Sequence, residues 1–162
     1  MAVIGIDPGT ALTGYGIIEE TSDQSLKVIK FGVIQTPAKE KLEIRLEEIY
    51  SQINKVLSIY KPDSGAVERL YFQRNISTAI SVGQARGVAM LALSQAGLSI
   101  SEYNPVDIKQ AVVGYGKATK KQVQQMVKIL LNLDQIPKPD DAADALAVAI
   151  CHLHSRKMLN LT

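Results

Sequence analysis

Ala2-Val3-Ile4-Gly5-Ile6-Asp7-Pro8-Gly9-Thr10 opens the chain. Val3, Ile4 and Ile6 are β-branched, which suits a strand buried on both faces. Asp7 ends the apolar run and Pro8-Gly9 follows at once, a strong turn signal. A carboxylate at the tip of a buried strand has two readings. It bonds its own backbone, as Asp often does in turns, or it shifts its pKa and takes a cationic partner such as a metal. Gly14-Tyr15-Gly16-Ile17-Ile18 reads as the hairpin mate of this strand. Its glycines leave it thin, so that a ligand or another backbone can come close.

Outward from this pair, residues 26–34 read as a third strand closed by Thr36-Pro37. Leu42, Leu46, Ile49, Ile53, Val56 and Tyr60 recur at helical spacing, and Glu40, Glu43, Glu47 and Glu48 form a solvated face that complements the helix dipole. Gly65-Ala66-Val67-Glu68 repeats the opening pattern, a small apolar strand ending in a carboxylate. A helix over 77–96 carries Ala79, Gly83 and Gly87 at four-residue spacing, a smooth ridge for close packing against the sheet or a second subunit. Residues 98–103 read as a fifth strand, and Asn104-Pro105 opens a short helix to about Val113. Thr119 caps a helix with Lys120, Lys121 and Lys128 outward, and a final helix begins near Asp140 and is alanine-rich through Ile150. The order implies an α/β protein: a mixed five-stranded sheet, its first three strands antiparallel, with helices on both faces, in one domain over 1–162.

Composition is that of an ordinary globular protein, with 46% hydrophobic and 21% charged residues. The longest apolar runs fall short of a membrane span, no signal-peptide pattern opens the chain, and the expected compartment is the cytoplasm with no membrane partner. The single cysteine, Cys151, excludes an intramolecular disulfide framework and reads as a small buried helix residue. The net charge of +2 is unevenly divided. From Arg69 to Leu133 eight basic residues face two acids, a segment of +6, which leaves −4 elsewhere. Such asymmetry fits a surface that meets a polyanion, or an ordinary solvated lysine face.

Asp141 and Asp144 are three residues apart and share a helix face. As first-turn acids they also stabilise a helix N-terminus without any further role. Asp140 reads as an N-cap, and His152 and His154 as surface or end-of-helix residues too distant along the helix to join a metal site. Docked on the sheet, the helix could bring Asp141 and Asp144 beside Asp7 and Glu68. Four crowded carboxylates repel unless divalent cations neutralise them. An all-oxygen set favours Mg²⁺ or Mn²⁺, and a pair of such ions about 3.5–4 Å apart suits phosphodiester hydrolysis.

Gly5-Ile6-Asp7-Pro8-Gly9, Thr13-Gly14-Tyr15-Gly16, Ala66-Val67-Glu68, Gly83-Gln84-Ala85-Arg86-Gly87-Val88, Val112-Val113-Gly114 and Asp141-Ala142-Ala143-Asp144-Ala145-Leu146-Ala147 together resemble the RuvC family of Holliday-junction resolvases. The resemblance covers nearly the whole chain. It implies an RNase H-like fold, a homodimer, and paired symmetric nicks in a four-way DNA junction that leave 5′-phosphate and 3′-hydroxyl ends. It implies that Asp7, Glu68, Asp141 and Asp144 are the catalytic, metal-binding quartet, with two Mg²⁺ ions for which Mn²⁺ substitutes. Tyr71 stands where the family carries an aromatic that stacks on junction bases, and Lys109 and Lys120 match its DNA-contacting lysines. Arg74, Lys117 and Lys121 belong to the same basic segment and are the further expected phosphate contacts. A branch-migration complex of RuvA and RuvB is the implied partner.

Two other functions share some of these features. Actin-like and sugar-kinase-like nucleotide-binding proteins also open with a strand, an acid and a Gly-Thr turn, but 162 residues leave no room for their second lobe. A non-catalytic junction-binding module would have no need of the carboxylate quartet.

Overall fold

The computed structural model describes residues 1–70 and 76–160. In chain order the elements are β1 (Ala2–Asp7), β2 (Leu12–Glu20), β3 (Leu26–Gln35), α1 (Leu42–Tyr60), β4 (Ser64–Glu68), α2 (Ile76–Gln95), β5 (Ser99–Tyr103), α3 (Pro105–Val113), α4 (Lys120–Leu130) and α5 (Asp140–Asn160). The strands form one sheet in the order β3-β2-β1-β4-β5. β1, β2 and β3 are antiparallel neighbours, and β4 and β5 join in parallel through helical crossovers. This is the mixed sheet expected from the sequence, with β1 at its centre.

Alternation along β1 divides the core. Ile4 and Ile6 face one layer, where Ile49 and Ile53 of α1 and Ala85, Ala89 and Leu93 of α2 cover them. Val3 faces the other, beneath α3, α4 and α5, with Leu146 and Ile150. Each large aliphatic side chain buried there stabilises the fold by about 1.5–3 kcal/mol relative to its exposed state. The helix ends follow local chemistry. Lys61 closes α1 in a left-handed conformation, its N–H bonding Leu57 O. At α4 the Thr119 hydroxyl accepts from Gln122 N at 3.2 Å, and Gln122 Oε1 accepts from Thr119 N at 2.8 Å.

Three readings are corrected. Asp140 is the first residue of α5 rather than its cap, because its carboxylate turns to Lys138 Nζ at 3.2 Å. α5 continues to Asn160. His152 is therefore not near a helix end, and it is 2% exposed. Its ring bonds Ser64 Oγ and Tyr103 Oη, each at 2.9 Å, and burial pulls its pKa down to about 4. His154 is half-buried, with Nδ1 3.0 Å from Ala111 O. Cys151 is buried as expected, and burial raises its thiol pKa to about 11.

The glycine ridge of α2 does not face the sheet. Ala79 is buried, but a Cβ at Gly83 would meet only Leu70, and one at Gly87 would meet nothing within 4 Å. Ile76, Ile80 and Leu91 stand exposed on this helix. By length and composition α2 is apolar enough to cross a bilayer, the one such helix among the described residues. The excess lies in an outward apolar face that continuous-run counting overlooks, because Arg86 interrupts the run.

Candidate active site

The position of Asp7 follows from strand alternation. Gly5 and Asp7 are two apart, so both point to the α5 side of the sheet. On β2, Gly14 pairs directly with Asp7, and Gly16 with Gly5. Nothing on these glycines holds α5 away. A Cβ on Gly14 would lie 2.5 Å from the Asp141 carbonyl carbon, and one on Gly5 would lie 2.5 Å from Ala149 N. The thin strand foreseen in the sequence is filled by helix backbone, and this contact carries Asp141 and Asp144 to the end of β1.

Glu68 arrives by register. Ile6 pairs with Val67 in the parallel ladder, so Asp7 and Glu68 are the next step on adjacent strands and share a face. Arg86 Nε donates to the Glu68 carbonyl at 3.2 Å and its guanidinium pairs with Glu102. The turn after Asp7 is closed by Thr13, whose hydroxyl donates to Gly9 O at 2.7 Å. A Cβ at Gly9 would collide with the Leu12 carbonyl, so this turn admits only glycine. Thr13 and Arg86 stand in motifs quoted from the sequence, but neither was given a role there; for Thr13, a hydroxyl four residues from a Pro-Gly turn was the available signal.

The electrostatics show how closely the four acids meet. Asp7 is pushed up to a pKa of about 8, chiefly by burial and then by the charges of Asp144, Glu68 and Asp141, while Lys120 opposes them. Glu68 and Asp144 are also raised, chiefly by burial. Lys120 Nζ lies 3.0 Å from Asp144 and 3.7 Å from Asp140. Burial pulls the Lys120 ammonium down, but its acidic neighbours outweigh this and hold its pKa above the usual lysine value. Among the described residues no three ligating side chains are closed to metal-binding distance. The Lys120 ammonium serves as a partial counter-ion to Asp144. Desolvated, all-oxygen and short of positive charge, the cluster fits a hard divalent cation.

The expected DNA contacts separate into groups. Lys109 and Lys120 line a cleft with Glu68 and Asp144. Lys117 and Lys121 are exposed and do not line it. Tyr71 and Arg74 lie outside the described residues. Part of the +6 segment is neutralised internally, since Arg69 and Arg86 both pair with Glu102.

A mixed sheet whose central strand ends in a desolvated carboxylate, with further acids from a neighbouring strand and a docked helix, defines a nuclease of the RNase H-like class. Comparison with known proteins gives the family. The model for "Crossover junction endodeoxyribonuclease RuvC" matches residues 3–152, and the chain belongs to that family of metal-dependent nucleases. The RuvC proteins of Heliobacterium modesticaldum and Alkaliphilus metalliredigens are 54% and 55% identical over 155 residues, covering 96% of this chain and 95% and 94% of theirs. Thermus thermophilus RuvC in complex with Holliday junction substrate superposes with a TM-score of 0.92 at 34% identity, covering 98% of this chain and 96% of that one. The yeast mitochondrial Holliday junction resolvase Ydc2 shares the fold, with a TM-score of 0.68 at 18% identity, covering 98% of this chain and 81% of that one. This chain is a crossover junction endodeoxyribonuclease, a Holliday-junction resolvase of DNA recombination and repair.

Proposed function

We propose that Asp7, Glu68, Asp141 and Asp144 are the catalytic ligands, holding two Mg²⁺ ions, with Mn²⁺ able to substitute. The observation that carries this reading is the crowding of four carboxylates from β1, β4 and α5 at one sheet end, with Asp7 raised to about 8. Such ions supply activation of water and stabilisation of the leaving oxygen. The chain's own work is to place the acids. Asp7, raised to about 8 by burial and its acidic neighbours, would hold the cation as its carboxylate. Lys120 neutralises Asp144 beforehand, then becomes free to meet a phosphate in the cleft it shares with Lys109. The products are 5′-phosphate and 3′-hydroxyl ends.

Around this centre, Lys117, Lys121 and Arg74 extend the phosphate surface, and Tyr71 stacks on junction bases. The whole of 1–162 serves as one nuclease domain. It acts as a homodimer, so that two centres nick symmetric strands. Ile76, Ile80 and Leu91 with the open Gly87 support α2 as the shared face; Ile80→Asp then sediments as a monomer. The branch-migration complex of RuvA and RuvB and a cytoplasmic location rest on the family alone.

The test uses a synthetic four-way junction with Mg²⁺ or with a chelator. Wild type makes paired symmetric nicks that require metal, whereas Asp7→Asn binds the junction without nicking it. Nicking by Asp7→Asn at the wild-type rate would refute the ligand assignment, and wild-type binding without nicking under any metal would leave a binding module.

A further inference from the structure

Three clefts meet around the carboxylates. One lies between Lys109 and Lys120. The second contains Asp7, Pro8 and Val82. The third, of about 510 Å³, shares Val82 with the second and has Asp141 on its wall. Its other walls bear Thr10, Ser81 and Arg45. The first two clefts share Glu68, Pro105 and Lys109, and the third adjoins the second at Val82, so the carboxylates have Lys109 and Lys120 on one side and Arg45 on the other.

Arg45 lies in the acidic part of the chain, so the charge count gave no reason to look there. Its Nε donates to Thr36 Oγ1 at 2.8 Å. Thr36 donates onward to the Thr10 carbonyl at 2.5 Å. The Thr10 hydroxyl donates to Ser81 O at 2.8 Å and lies 2.5 Å from Ser81 Oγ. This relay joins α1, the end of β3, the turn after Asp7, and α2. It holds the guanidinium by one edge. Among the described residues no carboxylate pairs with Arg45, although Asp141 lines the same cleft. A planar cation fixed through Nε, beside the hydroxyls of Thr10 and Ser81, is suited to a phosphate oxyanion. Asp141 on the wall would be neutralised as a ligand of a bound divalent cation and would then not oppose this.

We infer that the Thr10–Arg45 cleft is a second phosphodiester site, which grips the junction strand on the side of the carboxylates opposite Lys109 and Lys120. The inference rests on the reading that the carboxylates flank the scissile phosphate. The strand then lies across the centre with its backbone anchored at both ends, and Arg45 is a binding residue that fixes register.

The test places single uncharged methylphosphonates at each phosphate within three nucleotides of the cleavage point. Junction affinity is measured for the full-length wild type, Arg45→Gln, Arg45→Lys and Thr36→Val. In wild type one position on the side away from Lys109 and Lys120 costs about tenfold, as expected for a charge-assisted contact. In Arg45→Gln the same methylphosphonate costs nothing further, because the two changes remove one interaction. Arg45→Gln also lowers the slope of log affinity against log salt by about 1, and Arg45→Lys restores it. Thr36→Val frees one edge of the guanidinium but keeps the charge, so it retains the wild-type salt slope and loses only part of the tenfold methylphosphonate cost. An Arg45→Gln protein with the wild-type profile and slope overturns the assignment, as does a Thr36→Val loss equal to that of Arg45→Gln, which would make the role structural. Metal-dependent nicking by wild type at saturating junction is the parallel control: its absence defeats the catalytic reading itself, whereas its presence with an unchanged Arg45→Gln profile defeats only the arginine.

Discussion

Gly14→Ala is the most informative single substitution, because it adds one methyl group where sheet and helix backbones touch. The new Cβ would lie 2.5 Å from the Asp141 carbonyl carbon and 3.2 Å from Ala142 N. The Asp141 carbonyl oxygen would be nearer still, and such contacts require about 3.4 Å, so the two backbones separate by at least about 1 Å. It does not matter which side yields. If α5 retreats, Asp141 moves away from Asp7; if β2 yields, Asp7 moves with its ladder partner Gly14. Overpacking of this size costs about 1–3 kcal/mol, less than the roughly 5–15 kcal/mol that holds a domain of this kind together, so the variant stays folded. A misplacement of about 1 Å at a catalytic centre costs on the order of 10²-fold in rate. Circular dichroism and a urea titration check the fold, and single-turnover nicking of a four-way junction at saturating Mg²⁺ reads the rate. A folded Gly14→Ala protein that nicks within threefold of wild type would refute the claim that this contact sets the carboxylate geometry.

The raised pKa of Asp7 carries a definite sign. The folded, metal-free chain holds a proton that the unfolded chain releases above its ordinary value of 3.8, so this group's stabilisation is lost as pH rises toward about 8. Asp7→Asn removes that slope, and its advantage in metal-free Tm over wild type grows from pH 4 to pH 8, measured by thermal melts in EDTA. His152 acts in the opposite direction: its pKa is depressed to about 4, so its contribution is complete above pH 6.5 and is lost on acidification. His152→Ala strands the Tyr103 hydroxyl and leaves a cavity, costing about 2–4 kcal/mol by urea titration, with nicking per folded molecule unchanged. Lys120→Ala lowers the slope of log junction affinity against log salt by about 1, read from binding isotherms across a salt series.

The fold was legible because β1 carries several signals in eight residues. Its β-branched run, its terminal Asp and its Pro-Gly turn specify a buried central strand and where it stops. The glycines at 14 and 16 announced that a ligand or another backbone comes close, but spacing alone did not say that α5 is the partner, nor that Gly5 meets it too, since identifying the partner requires the three-dimensional docking. Glu68 and the α5 acids were legible as a set through their repeated placement at element ends. His152 was misread because the end of an alanine-rich helix carries no sharp stop, and its partners Ser64 and Tyr103 lie 88 and 49 residues away. Arg45 escaped notice for a related reason. Acids surround it in sequence, whereas hydroxyls surround it in space.

The most direct test of the carboxylate centre is to count bound Mn²⁺ by electron paramagnetic resonance, in complexes of the full-length protein with an uncleavable four-way junction. Two ions per active site in wild type, and fewer in Asp7→Asn at undiminished junction affinity, is the predicted result. Full Mn²⁺ occupancy in Asp7→Asn, together with retained nicking of a cleavable junction, would contradict it.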